Sequence, residues 1–179
     1  MAEFRTVTPQ ELAENPFRLI GKDWMLVTSA NDGAGFRGGE DYNTMTASWG
    51  GVGILWNKPV AFVFIRPQRH TFKFTEKNKR LTLSFFGEDY RPALSYCGKF
   101  SGLEKDKAAD CGLTPVSDTD ADGRAVWFDE ARIVMKTRKL YESYLDETAF
   151  LEPELLENYK SKDFHKMYIC EIEQVLVKD

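Results

Sequence analysis

Between Tyr42 and Thr75, 34 residues pass without Asp or Glu, while Lys58, Arg66, Arg69 and Lys73 are kept. The chain carries 24 Lys and Arg against 28 Asp and Glu, so this block is net +4 and the rest sets 20 cations against 28 acids. Two segments of the block have the residue types that would hold a phosphorylated aromatic ligand. In Asn43-Thr44-Met45-Thr46-Ala47-Ser48-Trp49-Gly50-Gly51, small residues let backbone N–H groups approach a ligand closely. Thr46 and Ser48, two apart, place hydroxyls on one side of a strand, and Trp49 adds a flat apolar surface. In Ile65-Arg66-Pro67-Gln68-Arg69-His70-Thr71, Arg66 and Arg69 supply planar forks for phosphate oxygens. Thr71 would cap a helix whose free N–H groups attract an anion. Buried strand alone would also exclude carboxylates, but it explains the retained arginines less well.

Other chemistries fit poorly. Gly33-Ala34-Gly35-Phe36-Arg37-Gly38 spells G-x-G-x-x-G, yet no helix opens after it and no acid stands about 20 residues on, as a dinucleotide site needs. Gly98-Lys99 lacks the remaining residues of a P-loop. His70 and His165 are the only histidines, and no C-x-x-C occurs, so zinc spacing is absent. No serine lies in G-x-S-x-G. No catalytic side chain and no metal ligand is therefore expected. Cys97, Cys111 and Cys170 are an odd, widely spaced set, read as packing residues in a reducing cytoplasm. The acidic balance argues against nucleic acid. The longest apolar run, Val60 to Ile65, is too short to span a membrane, and the Met1-Ala2-Glu3-Phe4-Arg5 start lacks the pattern of a signal peptide.

The elements that must position these residues read mainly as strands with short helices, hence a β-barrel or α+β domain, one unit over residues 1–179. Thr8-Pro9-Gln10-Glu11 opens a helix that Asn15-Pro16 closes. Strands are expected over Trp24–Ser29, Asn43–Trp49 paired back on it, Val60–Ile65, Leu81–Phe86, Glu130–Tyr144 and Met167–Val177. Asn31 to Asp41 is a glycine-rich loop. Short helices are expected from Thr71, over Tyr90–Tyr96, Glu104–Ala109 and Pro153–Lys160, with an acidic turn over Asp118–Gly123. His70 reads as a solvent-facing residue at a helix start.

The run Asn43 to Gly50, then Lys58-Pro59, then Ile65 to Thr71 resembles the flavin reductase-like family, flavoredoxin branch. Leu83-Ser84-Phe85-Phe86, Cys97-Gly98-Lys99-Phe100-Ser101-Gly102 with Lys105-Asp106-Lys107, and His165 to Ile172 extend the likeness from about Asp23 to Gln174. The resemblance implies an FMN-binding split β-barrel, a non-covalent FMN and a homodimer. It places Thr46, Ala47, Ser48 and Trp49 along the flavin and ribityl chain. Arg66, Arg69 and Thr71 would hold the phosphate, with Pro67 and Gln68 shaping that turn. Cys97, Gly98, Lys99, Ser101 and Lys107 match the later element, and His165 matches a family histidine near the flavin. It further implies an oxidoreductase taking hydride from NADH or NADPH. An electron carrier reduced by a partner protein shares every one of these residues. The loop Asn31 to Asp41 departs from the family pattern and bears on substrate choice.

Overall fold

The structure, a computed structural model, describes residues 3–178. Met1, Ala2 and Asp179 lie outside it, including the first two residues of the start weighed as a targeting signal. Ten strands are described: β1 Arg5–Val7, β2 Met25–Ala30, β3 Tyr42–Ala47, β4 Gly50–Leu55, β5 Lys58–Ile65, β6 Arg80–Phe85, β7 Pro115–Asp120, β8 Gly123–Phe128, β9 Ile133–Tyr144 and β10 Lys166–Val177. Four α-helices accompany them: α1 Pro16–Arg18, α2 His70–Lys77, α3 Arg91–Lys99 and α4 Lys107–Asp110. No helix among the described residues is long and apolar enough to cross a membrane.

The main sheet runs β3-β2-β6-β9-β10-β5-β4, with β1 beside β10, and the paired strands are antiparallel. Its two outermost strands, β3 and β4, are consecutive in the chain and joined only by Ser48-Trp49. Two intervening residues let the strand ends stand no more than about 11 Å apart. The sheet therefore curls until its edges meet, without hydrogen bonds between them, and the result is a split barrel. Gly50 sits at this seam with φ +151°. A Cβ there would lie 2.7 Å from the Phe62 carbonyl oxygen of β5 and 3.4 Å from Met25 Cε of β2. Only glycine lets the two sides approach so closely.

Alternation along the strands divides the apolar residues between two clusters. Met25, Val27, Met45, Val63, Ile65, Leu83, Phe85 and Tyr168 fill the barrel. Leu26, Ala30, Phe86, Leu94, Cys97, Trp127 and Phe128 form a second layer, where α3 covers the outside of β3 and β2, and β8 that of β2 and β6. Every residue of β2 and of β6 is buried for this reason. In β10, Tyr168, Cys170 and Ile172 face inward, then Val175 and Val177 do. The change of parity falls at a register shift between Ile172 and Gln174, as a bulge produces.

Several local expectations are corrected. The Thr8 helix is one 3-10 turn, Pro9–Glu11, in which the Thr8 N–H and hydroxyl both donate to the Glu11 carboxylate at 2.8 Å. Asn15 opens a helix where it was read as closing one. Its Oδ1 accepts from the Phe17 N–H at 3.0 Å, capping α1. The Asp118–Gly123 turn is largely hairpin strand, with only residues 121–122 left as its tip. The helix read over Glu104–Ala109 begins later, at Lys107. Strands β1, β4, β7 and β8 add to the strands expected from the sequence.

Candidate functional site

Strand β5 ends at Ile65, and the turn Arg66-Pro67-Gln68 leads into α2. The end of α3 and the start of α4 face that turn. Between them lies a cavity of about 150 Å³ lined by Gln68, Arg69, Thr71, Lys99, Ser101 and Lys107, together with His70, Phe100 and Gly102. Segments 97 residues and 69 residues into the chain thus meet at one place, as the expected phosphate element requires. Arg69, half-buried, donates from Nη1 to the Gly98 carbonyl at 2.8 Å and from Nη2 to the Cys97 carbonyl at 3.3 Å. Lys107, only 3% exposed, donates from Nζ to the same Cys97 carbonyl at 3.2 Å. These cations satisfy the last carbonyls of α3, at the negative end of its dipole. Among the described residues neither cation pairs with a carboxylate. Burial lowers the pKa of Arg69. Burial foremost, with the positive charge of Arg69, pushes that of Lys107 down to about 8.

Thr71 does not cap α2, as the sequence suggested. Arg69 occupies the cap position without a side-chain bond, and Thr71 lies in the first turn. The Thr71 Oγ1 is fully buried and accepts from Asn43 Nδ2 at 2.7 Å, which leaves its own proton for another acceptor. Asn43 also fixes the facing loop. A Cβ on Gly102 would fall 1.9 Å from Asn43 Oδ1, so that position tolerates no side chain. Ser101 Oγ accepts from the Leu103 N–H at 3.2 Å and likewise keeps its proton. Lys99 and Gln68 are exposed at the cavity mouth.

The strand leading to the seam also meets α3. Thr46 donates its hydroxyl to the Leu94 carbonyl, and a Cβ on Gly98 would touch Thr46 Cβ at 3.4 Å. Thr46 thereby fastens α3 along β3. Ala47 is buried, Ser48 half-buried, and Trp49 remains 50% exposed with its ring 5.5 Å from His165. His165, at the entry to β10, is buried beside Phe64 and Tyr159. Its Nδ1 lies 2.8 Å from the Tyr159 hydroxyl. Burial first, then the charge of Arg66, lowers its pKa to about 4, so the ring is neutral at pH 7.

Arg66 is not brought to the cavity. Its Nη1 pairs with Asp163 Oδ2 at 2.6 Å, its Nη2 donates to the Asn158 carbonyl at 2.9 Å, and its guanidinium lies over the Tyr159 ring. Gln68 Nε2 reaches the same Asp163 oxygen at 2.5 Å. The two arginines expected to grip together are therefore divided: Arg69 stands at the cavity, and Arg66 ties the 153–163 segment over His165. Sequence reasoning missed Asn43, Tyr159, Asp163 and His70, which is half-buried rather than solvent-facing. His70 carried a signal as a titratable residue inside the Arg69–Thr71 run, and Asn43 as the first residue of the Asn43–Gly51 segment; Tyr159 and Asp163 carried none. Among the described residues no group of three His, Cys, Asp or Glu is arranged to hold a metal.

The flavin reductase like domain family model matches residues 17–179. Among solved structures, flavoredoxin of Desulfovibrio vulgaris superposes with a TM-score of 0.65 at 21% identity, covering 97% of this chain and 78% of that one. An FMN-binding domain of a flavin reductases-like enzyme from Shewanella baltica gives 0.65 at 15% identity over 99% and 78%. Nitrilotriacetate monooxygenase component B from Bacillus cereus gives 0.63 at 16% identity over 100% and 84%. No curated protein matches the chain. At such identities the superpositions carry the fold, and the family match over nearly the whole length carries the assignment: the chain belongs to the flavin reductase like domain family.

Proposed function

We infer that this chain is an FMN-binding oxidoreductase of the flavin reductase and flavoredoxin type, which uses NADH or NADPH to reduce flavin and passes the electrons on. The observation that carries the reading is the pair Arg69 and Lys107, two cations with no carboxylate partner beside a small cavity. Withdrawing charge from water without a counter-charge is costly, and a phosphate monoester supplies that counter-charge. The donors fit it: the free Thr71 and Ser101 protons, the Lys107 ammonium and the Arg69 fork. Lys99 and Gln68 would close the mouth. Cys97 and Gly98 would act through the carbonyls that hold Arg69 and Lys107 in place, and Pro67 through the turn.

Bound FMN would supply two-electron chemistry, accepting hydride and releasing electrons to an acceptor. Thr46, Ala47, Ser48 and Trp49 would flank the ribityl chain and ring at the seam. His165, neutral and held by Tyr159, would present a hydrogen-bonding edge without adding charge. Arg66 would act on that edge only through Asp163 and Tyr159. The reading includes a homodimer in the cytoplasm. In its support, Ile54, Trp56 and Tyr141 are exposed near the free edge of β4, and all three cysteines are unpaired.

A fluorescence titration with FMN tests the cofactor, and absence of saturable binding would overturn the reading. Anaerobic addition of NADH or NADPH to the loaded protein tests the activity. Bleaching of the flavin absorbance is expected. Colour that persists with both nucleotides but bleaches with a reduced partner protein would replace the enzyme by an electron carrier.

A further inference from the structure

His70 is a wall of the cation-rich cavity. Its Nε2 lies 2.8 Å from the Gly39 carbonyl oxygen. A carbonyl only accepts, so Nε2 must carry the proton. In a neutral ring Nδ1 is then a bare lone pair, and that atom is buried with no hydrogen-bond partner. The ring is held in this orientation from a second side by Phe74, edge-on with centroids 5.4 Å apart. Gly39 is itself fixed: its φ is +87°, and a Cβ there would strike the Gly102 carbonyl at 2.0 Å. The imidazole therefore does not escape its unsatisfied atom by turning over.

A buried acceptor without a donor, on a residue that lines a cavity built from donors, is an unexplained polar atom. Only one change makes it useful to an anion, which is the gain of a proton. We propose that His70 is a proton-coupled ligand of the phosphate: Nδ1 takes a proton from solvent as the phosphate monoester enters and donates it to a phosphate oxygen, while Nε2–H stays on Gly39. This rests on the reading of the cavity as the phosphate site.

The charged groups around the ring set the direction. Arg69 precedes it in the chain, Lys73 follows on α2, Lys99 comes from the end of α3 and Lys107 from α4. Against them stands Asp106, whose Oδ2 accepts from the Gly38 N–H at 3.0 Å. In the loop, Glu40 is paired with Arg37 at 3.1 Å, and Asp41 accepts from the Arg37 N–H at 2.8 Å. A phosphate dianion beside the ring favours its charged form, so the proton is taken up on binding.

The test is calorimetric titration with FMN in buffers of different ionisation enthalpy, between pH 6 and 8, on the wild type and on His70→Gln. The glutamine amide keeps an N–H for Gly39 but has nothing that titrates. The phosphate monoester itself loses and gains protons in this range, and the variant carries that same background. The wild type is expected to take up more protons than the variant, up to one per site. Its FMN affinity is expected to exceed that of the variant by about tenfold at pH 6, in keeping with a charge-assisted hydrogen bond, and by less at pH 8. Riboflavin, which lacks the phosphate, should show no such difference. Because the chain has two histidines, nitrogen NMR of histidine-labelled wild type gives a second readout that needs no variant: Nδ1 of one ring should change from unprotonated to protonated when FMN is added. Equal proton uptake in both proteins, with FMN bound and Nδ1 unprotonated, would overturn this inference and leave the phosphate site standing. Failure of FMN to bind at all would overturn both.

Discussion

Arg80 and Arg69 are two arginines withdrawn from water in the same barrel, and they are treated in opposite ways. Arg80, 6% exposed at the start of β6, is met by Asp120 of the hairpin and Glu173 of β10. Burial lowers its pKa, but the bonds and charges of those two carboxylates outweigh it, and the net shift is upward. Glu173 and Glu171 then engage Arg138, and Glu171 also engages Lys58. Among the described residues Arg69 and Lys107 have only carbonyl oxygens for hydrogen-bond partners, and both are shifted downward. Where a cation braces the wall, the chain supplies its counter-ion from within. At the cavity it withholds one, and in the proposed function an anion from outside completes the set.

Substitutions can break that contrast. Arg80→Met should cost about 2–3 kcal/mol of unfolding free energy, since it strands acids arranged around a buried charge, and should leave FMN affinity unchanged. Urea melts and a fluorescence titration measure the two effects. Arg69→Ala should do the reverse, weakening FMN binding by about 2 kcal/mol with a smaller change in the melt. If Arg69→Ala unfolds the protein as readily as Arg80→Met does, the cavity cation is a brace like the other.

Lys107 sharpens the comparison through pH. Its pKa near 8 in the free protein means that the charge needed by an anion is present below pH 8 and disappears above it. FMN affinity should therefore fall severalfold between pH 7.5 and pH 9.5, an alkaline loss separate from the one assigned to His70 below pH 8. In Lys107→Met the affinity is lower throughout and this alkaline fall is lost. The smallest effect belongs to His165. Folded, it stays neutral down to about pH 4, whereas an unfolded chain protonates it near its ordinary value of about 6.5. The unfolded state binds more protons in that window, so stability is lost as pH falls through it. His165→Phe should narrow the gap in melting temperature between pH 7 and pH 5.

The strands were legible because burial on one or two faces imposes an alternating or continuous apolar pattern, as in Val60–Ile65 and in Tyr168, Cys170 and Ile172. Strands β1, β4, β7 and β8 were not: in β4, Gly50, Gly51 and Gly53 offer no side chains from which a period could be read. Asn15-Pro16 fits the start of a helix as well as the stop, and only the bond from the Phe17 N–H decides between them. Most of the cavity lining stood in the sequence as a carboxylate-free basic run followed by Lys99, Ser101 and Lys107. What could not be read was the division of labour between Arg66 and Arg69. It depends on Asp163, 97 positions away from Arg66, and no local pattern announces a partner so distant. His70 was misread for a similar reason: the Gly39 carbonyl that orients it comes from a loop 31 positions earlier.

The Ser48-Trp49 connection has a consequence of its own. It is a strap with no slack, stitching together two strand edges that share no ladder. At that end of the cylinder the slit cannot widen beyond the reach of the strap, about 11 Å, whatever side chains line it. The spacing of the two edges at that end is capped by covalent geometry alone, and an inserted residue or two would be felt there far more than at the open tip formed by residues 121–122.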